Sequence, residues 1–99
     1  MPFSYATVPT LRVMREVLRR RGQRETIFAR SVAEGLNMDA RTVSRMLQRM
    51  TESGWLAIVK GQRVKKTGNP PTFYIVTPGG AEAMARLLEQ HRNRLPQEG

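Results

Sequence analysis

Residues 37–56 read NMDARTVSRMLQRMTESGWL. Within them Val43, Met46, Leu47 and Met50 recur at offsets of 0, 3, 4 and 7, the period of an α-helix that buries one stripe. Asp39 stands just ahead of the stripe, where a carboxylate can accept from the free amides of a first helical turn. Met38 before this cap and Val43 four residues into the helix make a hydrophobic staple, which fixes the angle of chain entry. With the stripe turned inward, Arg41, Ser44, Arg45, Gln48 and Arg49 share the outer face. Three arginines on so short a polar face raise the question of what anion they meet.

Upstream, TVPTLRVMREVLRRRG places Leu11, Met14 and Leu18 on one stripe with Val17 beside them, then a basic last turn and Gly22. A basic end followed by glycine suits a helix C-terminus, so a first helix is expected from about Pro9 to Arg21. ETIFARSVAEGLN offers Thr26 as N-cap and Ile27, Phe28, Val32, Ala33 and Leu36 as apolar positions of a second helix ending at Asn37. Only Leu36–Met38 bridge the second and third helices, so the two must cross steeply, as in a helix-turn-helix.

Downstream of Gly54 the period changes. WLAIV and TFYIV are short β-prone runs, and the intervening KGQRVKKTGNPP, with Gly61, Gly68, Pro70 and Pro71, describes a hairpin with a long basic loop. In TPGGAEAMARLLEQHRNRLP, Thr77 caps a last helix and Pro78 takes its first position, while Gly79 and Gly80 weaken its start. Ala81, Met84, Leu88, His91 and Leu95 follow a seam of about 3.5 residues suited to pairing with another helix. The expected architecture is α+β: three helices, a two-stranded β wing and a C-terminal helix. It forms one domain over residues 1–99, with a core over about 9–77 and the final helix over about 78–94. Trp55, Phe73 and Tyr74 are expected in the core rather than as stacking platforms.

Composition narrows the function. The chain carries a net charge of +9 over 99 residues, with four positive units in residues 1–22, four more in 54–77 and none in 78–99. An anionic partner is the first expectation. The absence of cysteine and the single histidine, His91, leave no Cys-type zinc site, no thiol nucleophile and no triad, so neither an enzyme nor a metal or cofactor is expected. No run of eighteen apolar residues and no signal-peptide pattern occurs, so no membrane is expected as partner and the location expected is cytoplasmic, at the nucleoid.

The segment SVAEGLNMDARTVSRMLQRMTESGWL resembles the core of winged helix-turn-helix regulators of the MarR type, and GNPPTFYIVTPGGAEAM is similar to the wing ending of PadR-type regulators. The wing lacks the Asp-x-Arg motif of MarR proteins, and Gly35 stands where a helix former is usual. The resemblance implies that the third helix enters the major groove of double-stranded DNA while the hairpin loop follows the backbone or the adjacent minor groove. On that footing Arg41 and Arg45 are candidates for guanine contacts, and Thr42, Ser44, Gln48 and Arg49 for fixing register through phosphates or supplementing the readout. Arg63, Lys65 and Lys66 are assigned to the backbone or minor groove. Met84, Leu88, His91 and Leu95 are candidates for a homodimer interface, the alternative being that this helix folds back onto its own domain and covers the first helix. The function expected is sequence-specific transcriptional regulation, most simply repression, without a small-molecule effector. The alternatives are a DNA-binding role in replication, partition or recombination of a mobile element, and a protein-interaction winged helix.

Overall fold

The computed structural model describes residues 7–60 and 72–95. Their order is α1 (Val8–Gly22), α2 (Ala29–Leu36), α3 (Ala40–Glu52), β1 (Leu56–Lys60), β2 (Thr72–Val76) and α4 (Pro78–Gln90), followed by a 3-10 turn at Arg92–Arg94. This is the α+β arrangement of a winged helix-turn-helix.

The three N-terminal helices close around one core. Leu11, Met14 and Val17 of α1 meet Val32 of α2 and Val43, Leu47 and Met50 of α3, all without solvent exposure. Each of these helices ends in a residue with left-handed backbone, followed by the same pair of hydrogen bonds back into the last turn. After α3 the residue is Gly54 (φ 81°), with Gly54 N–H donating to Thr51 O (3.0 Å) and Trp55 N–H to Met50 O (2.9 Å). After α2 it is Asn37 (φ 55°), as its amide side chain led us to expect. After α1 it is Arg24 (φ 59°), which corrects the role given to Gly22; that glycine stays inside the helix. The six-residue reverse bond from Glu25 N–H to Arg20 O (2.8 Å) fixes where the chain turns, and it places an arginine where glycine is favoured.

Thr26 is not the cap of α2. Tyr74 N–H donates to Ile27 O at 3.0 Å, so residues 27–28 are drawn into an extended bridge beside β2 and the helix cannot begin before Ala29. Phe28, the residue at the cap, sets its ring 4.5 Å from that of Phe73. In the hairpin Leu56 faces Val76 and Ile58 faces Tyr74. Leu56 is buried; of the three aromatic residues expected in the core, Tyr74 is buried and Trp55 packs against the core, while Phe73 is only half-buried, its ring against Phe28.

The last helix also departs from expectation. It ends at Gln90 rather than Arg94, and His91 (φ −117°, ψ 18°) leaves the helix so that the 3-10 turn returns Leu95 to the edge of the core. The apolar side of α4 lies on α1 and fully buries Met84. Met84 is therefore spent within the chain and does not form a surface for a second copy.

The start of α4, read as weakened by its glycines, is in fact its most constrained part. Thr77 Oγ1 accepts from Gly80 N–H (2.9 Å) and donates to Gly54 O (2.8 Å), and Thr77 N–H donates to Trp55 O (3.0 Å). Gly80 lies so close to the Trp55 backbone that a β-carbon there would overlap the Trp55 carbonyl and Cα. Gly35 differs, since a β-carbon would meet only Arg20 Nη2 at 3.5 Å and Glu16 Oε2 at 3.8 Å, ordinary contacts. Two opposite outcomes follow in urea denaturation. Gly80→Ala should destabilise by about 2 kcal/mol or more through overpacking. Gly35→Ala should stabilise by about 0.5–1 kcal/mol through helix propensity.

Candidate nucleic-acid interface

The burial of Val43, Met46, Leu47 and Met50 fixes the azimuth of α3 and turns Arg41, Thr42, Ser44, Arg45, Gln48 and Arg49 to solvent. Asp39 anchors the exposed end, its Oδ2 accepting from Thr42 N–H at 3.1 Å and from Thr42 Oγ1 at 3.3 Å. The Thr42 hydroxyl is thus held by the cap, while its neighbours on the same face remain presented outward.

The arginines of this face are not equivalent. Among the described residues, Arg41 and Arg45 meet no carboxylate. Arg49 has Glu52 at 3.5 Å, which offsets part of its charge. An ion pair so exposed is a weak restraint, so Arg49 is not withdrawn from outside contact. Arg63, Lys65 and Lys66 lie in the connection between β1 and β2, outside the described residues.

Much of the positive charge of residues 1–22 serves the scaffold instead. Arg12 Nη2 donates to Leu36 O (3.0 Å), tying α1 to the carbonyl end of α2, where a cation also suits the helix dipole. Glu16 receives Arg19 Nε (2.8 Å) and Nη2 (2.7 Å) together with Arg20 Nε (2.8 Å). Arg20 reaches on to Ser31 Oγ (3.1 Å), Ser31 O (3.2 Å) and Thr26 O (3.2 Å). Arg20 therefore clamps the start of α2 to the end of α1 and sets the platform on which α3 rests. The Glu16 pairs and the reach to Ser31 were both missed in the sequence, where the i,i+3 and i,i+4 spacing of Glu16 to Arg19 and Arg20 was the signal that could have found the pairs. Also missed was Arg30, on the first turn of α2, whose side chain is 89% exposed with Glu34 no nearer than 3.8 Å.

An open groove of about 780 Å³ runs between α1 and α4, lined by Leu18, Leu88 and Leu95 together with Arg15, Glu89 and Arg92. Leu88, His91 and Leu95, unlike Met84, are only half-buried. Among the described residues no group of His, Cys, Asp and Glu could hold a metal ion, and no helix is long and apolar enough to cross a membrane.

Solved structures carry the same arrangement. One, described as the multiple antibiotic resistance repressor MarR, matches with a TM-score of 0.65 and 17% identity over 89% of this chain and 58% of its own. A second, a MarR family protein from Bacillus stearothermophilus, gives 0.58 and 14% identity over 95% of this chain and 57% of its own. The fold is thus the MarR-like winged helix, and the chain spans less than two thirds of either neighbour. No protein-family model matches the sequence, and no curated protein matches it significantly.

The Glu16 cluster generates a pH prediction. Hydrogen bonding from Arg19, foremost, and then from Arg20 holds the Glu16 pKa below its ordinary value of 4.5, against the opposing effect of burial. A carboxylate whose pKa is lower folded than unfolded contributes stability above the unfolded value and loses it as pH falls through the folded one. Glu16→Gln should be less stable than wild type at neutral pH and converge on it below the ordinary carboxylate range, as read by thermal unfolding across pH 2–7. A gap that stays constant at acid pH would show that the carboxylate charge is not what the cluster uses.

Proposed function

We propose that this protein binds double-stranded DNA in a sequence-dependent way and regulates transcription, most simply as a repressor. The observation that carries the proposal is the pair Arg41 and Arg45, one turn apart on the exposed side of a rigidly capped helix and unopposed by carboxylates among the described residues. A guanidinium presented in this way can donate two hydrogen bonds to guanine O6 and N7. Ser44 and Gln48 supplement the readout, while Thr42 and Arg49 fix register. In a helix-turn-helix the first helix crosses the backbone, so Arg30 joins the wing cations Arg63, Lys65 and Lys66 as a phosphate contact.

We further propose that two copies act together through the surface formed by Leu88, His91 and Leu95. The half-burial of these residues beside the α1–α4 groove supports this, as does the absence of net charge over residues 78–99. A dimer of this kind binds half-sites spaced by about one helical turn or a multiple of it. Sedimentation of wild type against Leu88→Glu tests it: wild type should sediment as a dimer and the variant as a monomer, whereas a wild-type monomer at tens of micromolar would contradict pairing.

Two measurements test the DNA reading. If about six phosphates are neutralised per subunit, log affinity should fall against log salt with a slope of about −5, and a slope near zero would defeat it. Arg41→Ala and Arg45→Ala should each cost about 1–3 kcal/mol at the selected site and relax base preference there. Lys65→Ala or Lys66→Ala should instead weaken all sequences alike and reduce the slope by about one.

A further inference from the structure

The hairpin has an apolar side that the fold leaves open. The pairs Leu56–Val76 and Ile58–Tyr74 share the face that carries buried Leu56 and Tyr74, so Ala57 and Val59 of β1 and Phe73 and Ile75 of β2 stand on the opposite one. A sheet with one solvated face ordinarily alternates apolar and polar residues, whereas unbroken apolar runs belong to strands covered on both faces. Here the alternation is missing, and Val59 is 43% and Ile75 53% exposed.

The edge beside that face is open as well. β2 is flanked by β1 and by Ile27, whereas β1 pairs with β2 alone among the described residues. Two hydrogen bonds settle which groups of β1 look outward. Thr77 N–H donates to Trp55 O (3.0 Å), so alternation along an antiparallel ladder makes Ala57–Ile75 and Val59–Phe73 the next hydrogen-bonded pairs. Tyr74 N–H accordingly turns away from β1, to Ile27 O (3.0 Å). Its opposite number Ile58 therefore points both N–H and C=O away from β2, into the open edge, and its side chain is 46% exposed. Proteins commonly blunt such an edge with a charge, a proline or a bulge, and Ala57, Ile58 and Val59 carry none of these.

We propose that β1 takes up an extended segment of a partner protein as an added strand, one that alternates apolar and acidic residues. Extended backbone is what satisfies a donor and an acceptor presented side by side along a strand edge. Apolar side chains at every second position continue the row of Ala57 and Val59. Acidic ones between them answer the charge of residues 54–77, which hold four Lys or Arg and no Asp or Glu. The same surplus opposes pairing of β1 with β1 of a second copy, because like charges would face each other. The surface is separate from the arginines of α3, so the proposal stands or falls apart from the DNA reading.

The test offers the full chain a random library of peptides about ten residues long and titrates the strongest binders into isotope-labelled protein. They should be rich in Asp and Glu alternating with β-branched or aromatic residues. Binding should slow hydrogen exchange at Ile58 N–H, which is open in the free protein, while Ala57 and Val59 N–H, already held by β2, change little. Ile58→Pro removes the outward donor and no bond to β2, and should weaken binding by about tenfold or more. Should that variant fail to fold, Val59→Glu sets a carboxylate on the outer face and should weaken acidic binders by at least about tenfold. Arg86→Ala, which removes an exposed cation of α4, should leave affinity unchanged and so separate the edge from net charge. Failure to select a binder overturns the proposal. So do binders without an acidic excess, binders that leave Ile58 exchange fast, and binders indifferent to Ile58→Pro. Slow Ile58 exchange in the free protein that quickens on dilution overturns it in favour of a second copy on β1.

Discussion

The burial of one face of α3 is the constraint on which the rest depends. Val43, Met46, Leu47 and Met50 are taken into the core, and helical periodicity leaves Arg41, Ser44, Arg45 and Gln48 no direction but outward. α1 and α2 form the bed for that face. The bed is held by Arg20, which spans Glu16, Thr26 and Ser31, and by Arg12 on the last carbonyl of α2. Replacing Leu47 by a smaller residue would cost about 2–5 kcal/mol and also free the azimuth of the arginines, so stability and presentation of the candidate interface are one property here.

Charge is divided between two tasks. Two arginines of α1, Arg12 and Arg20, are turned onto the carbonyls and hydroxyl of α2, and exposed Arg19 is paired with Glu16 and Glu25. Those of α3 are left open at the helix start, where Asp39 supplies the cap without lying against them. A net charge of +9 thus overstates the density of any one anion-binding surface, because Arg12, Arg19 and Arg20 are committed within the scaffold.

How much could be read from the sequence follows from the range of the interactions. α3, its Asp39 cap and the Asn37 turn are local, each decided within a few residues, and each was legible. The exposed set on α3 was legible for the same reason. Thr26 was read as a cap because its neighbours carry helical spacing, yet a bridge to Tyr74, 47 positions from Ile27, claims the segment for extended structure. Gly22 seemed the natural helix terminator until the bond from Glu25 to Arg20 set the turn two residues later. The seam of α4 could serve a partner helix or the chain's own α1, since both want the same spacing. Met84 went to α1, and the helix stopped at Gln90. Gly80 was least legible of all, because the backbone of Trp55 that excludes a side chain there is brought in by the wing.

The central claim is that α3 reads the major groove through its exposed arginines, and methylation interference tests it most directly. Dimethyl sulfate places a methyl group on guanine N7 in the major groove and on adenine N3 in the minor groove, so one experiment on a selected site distinguishes the two. Bound fractions should be depleted of guanine N7 methylation at the positions facing α3 in wild type, and that depletion should vanish at one position each in Arg41→Ala and Arg45→Ala. Interference confined to adenine N3, with guanine N7 methylation tolerated throughout, would contradict the account.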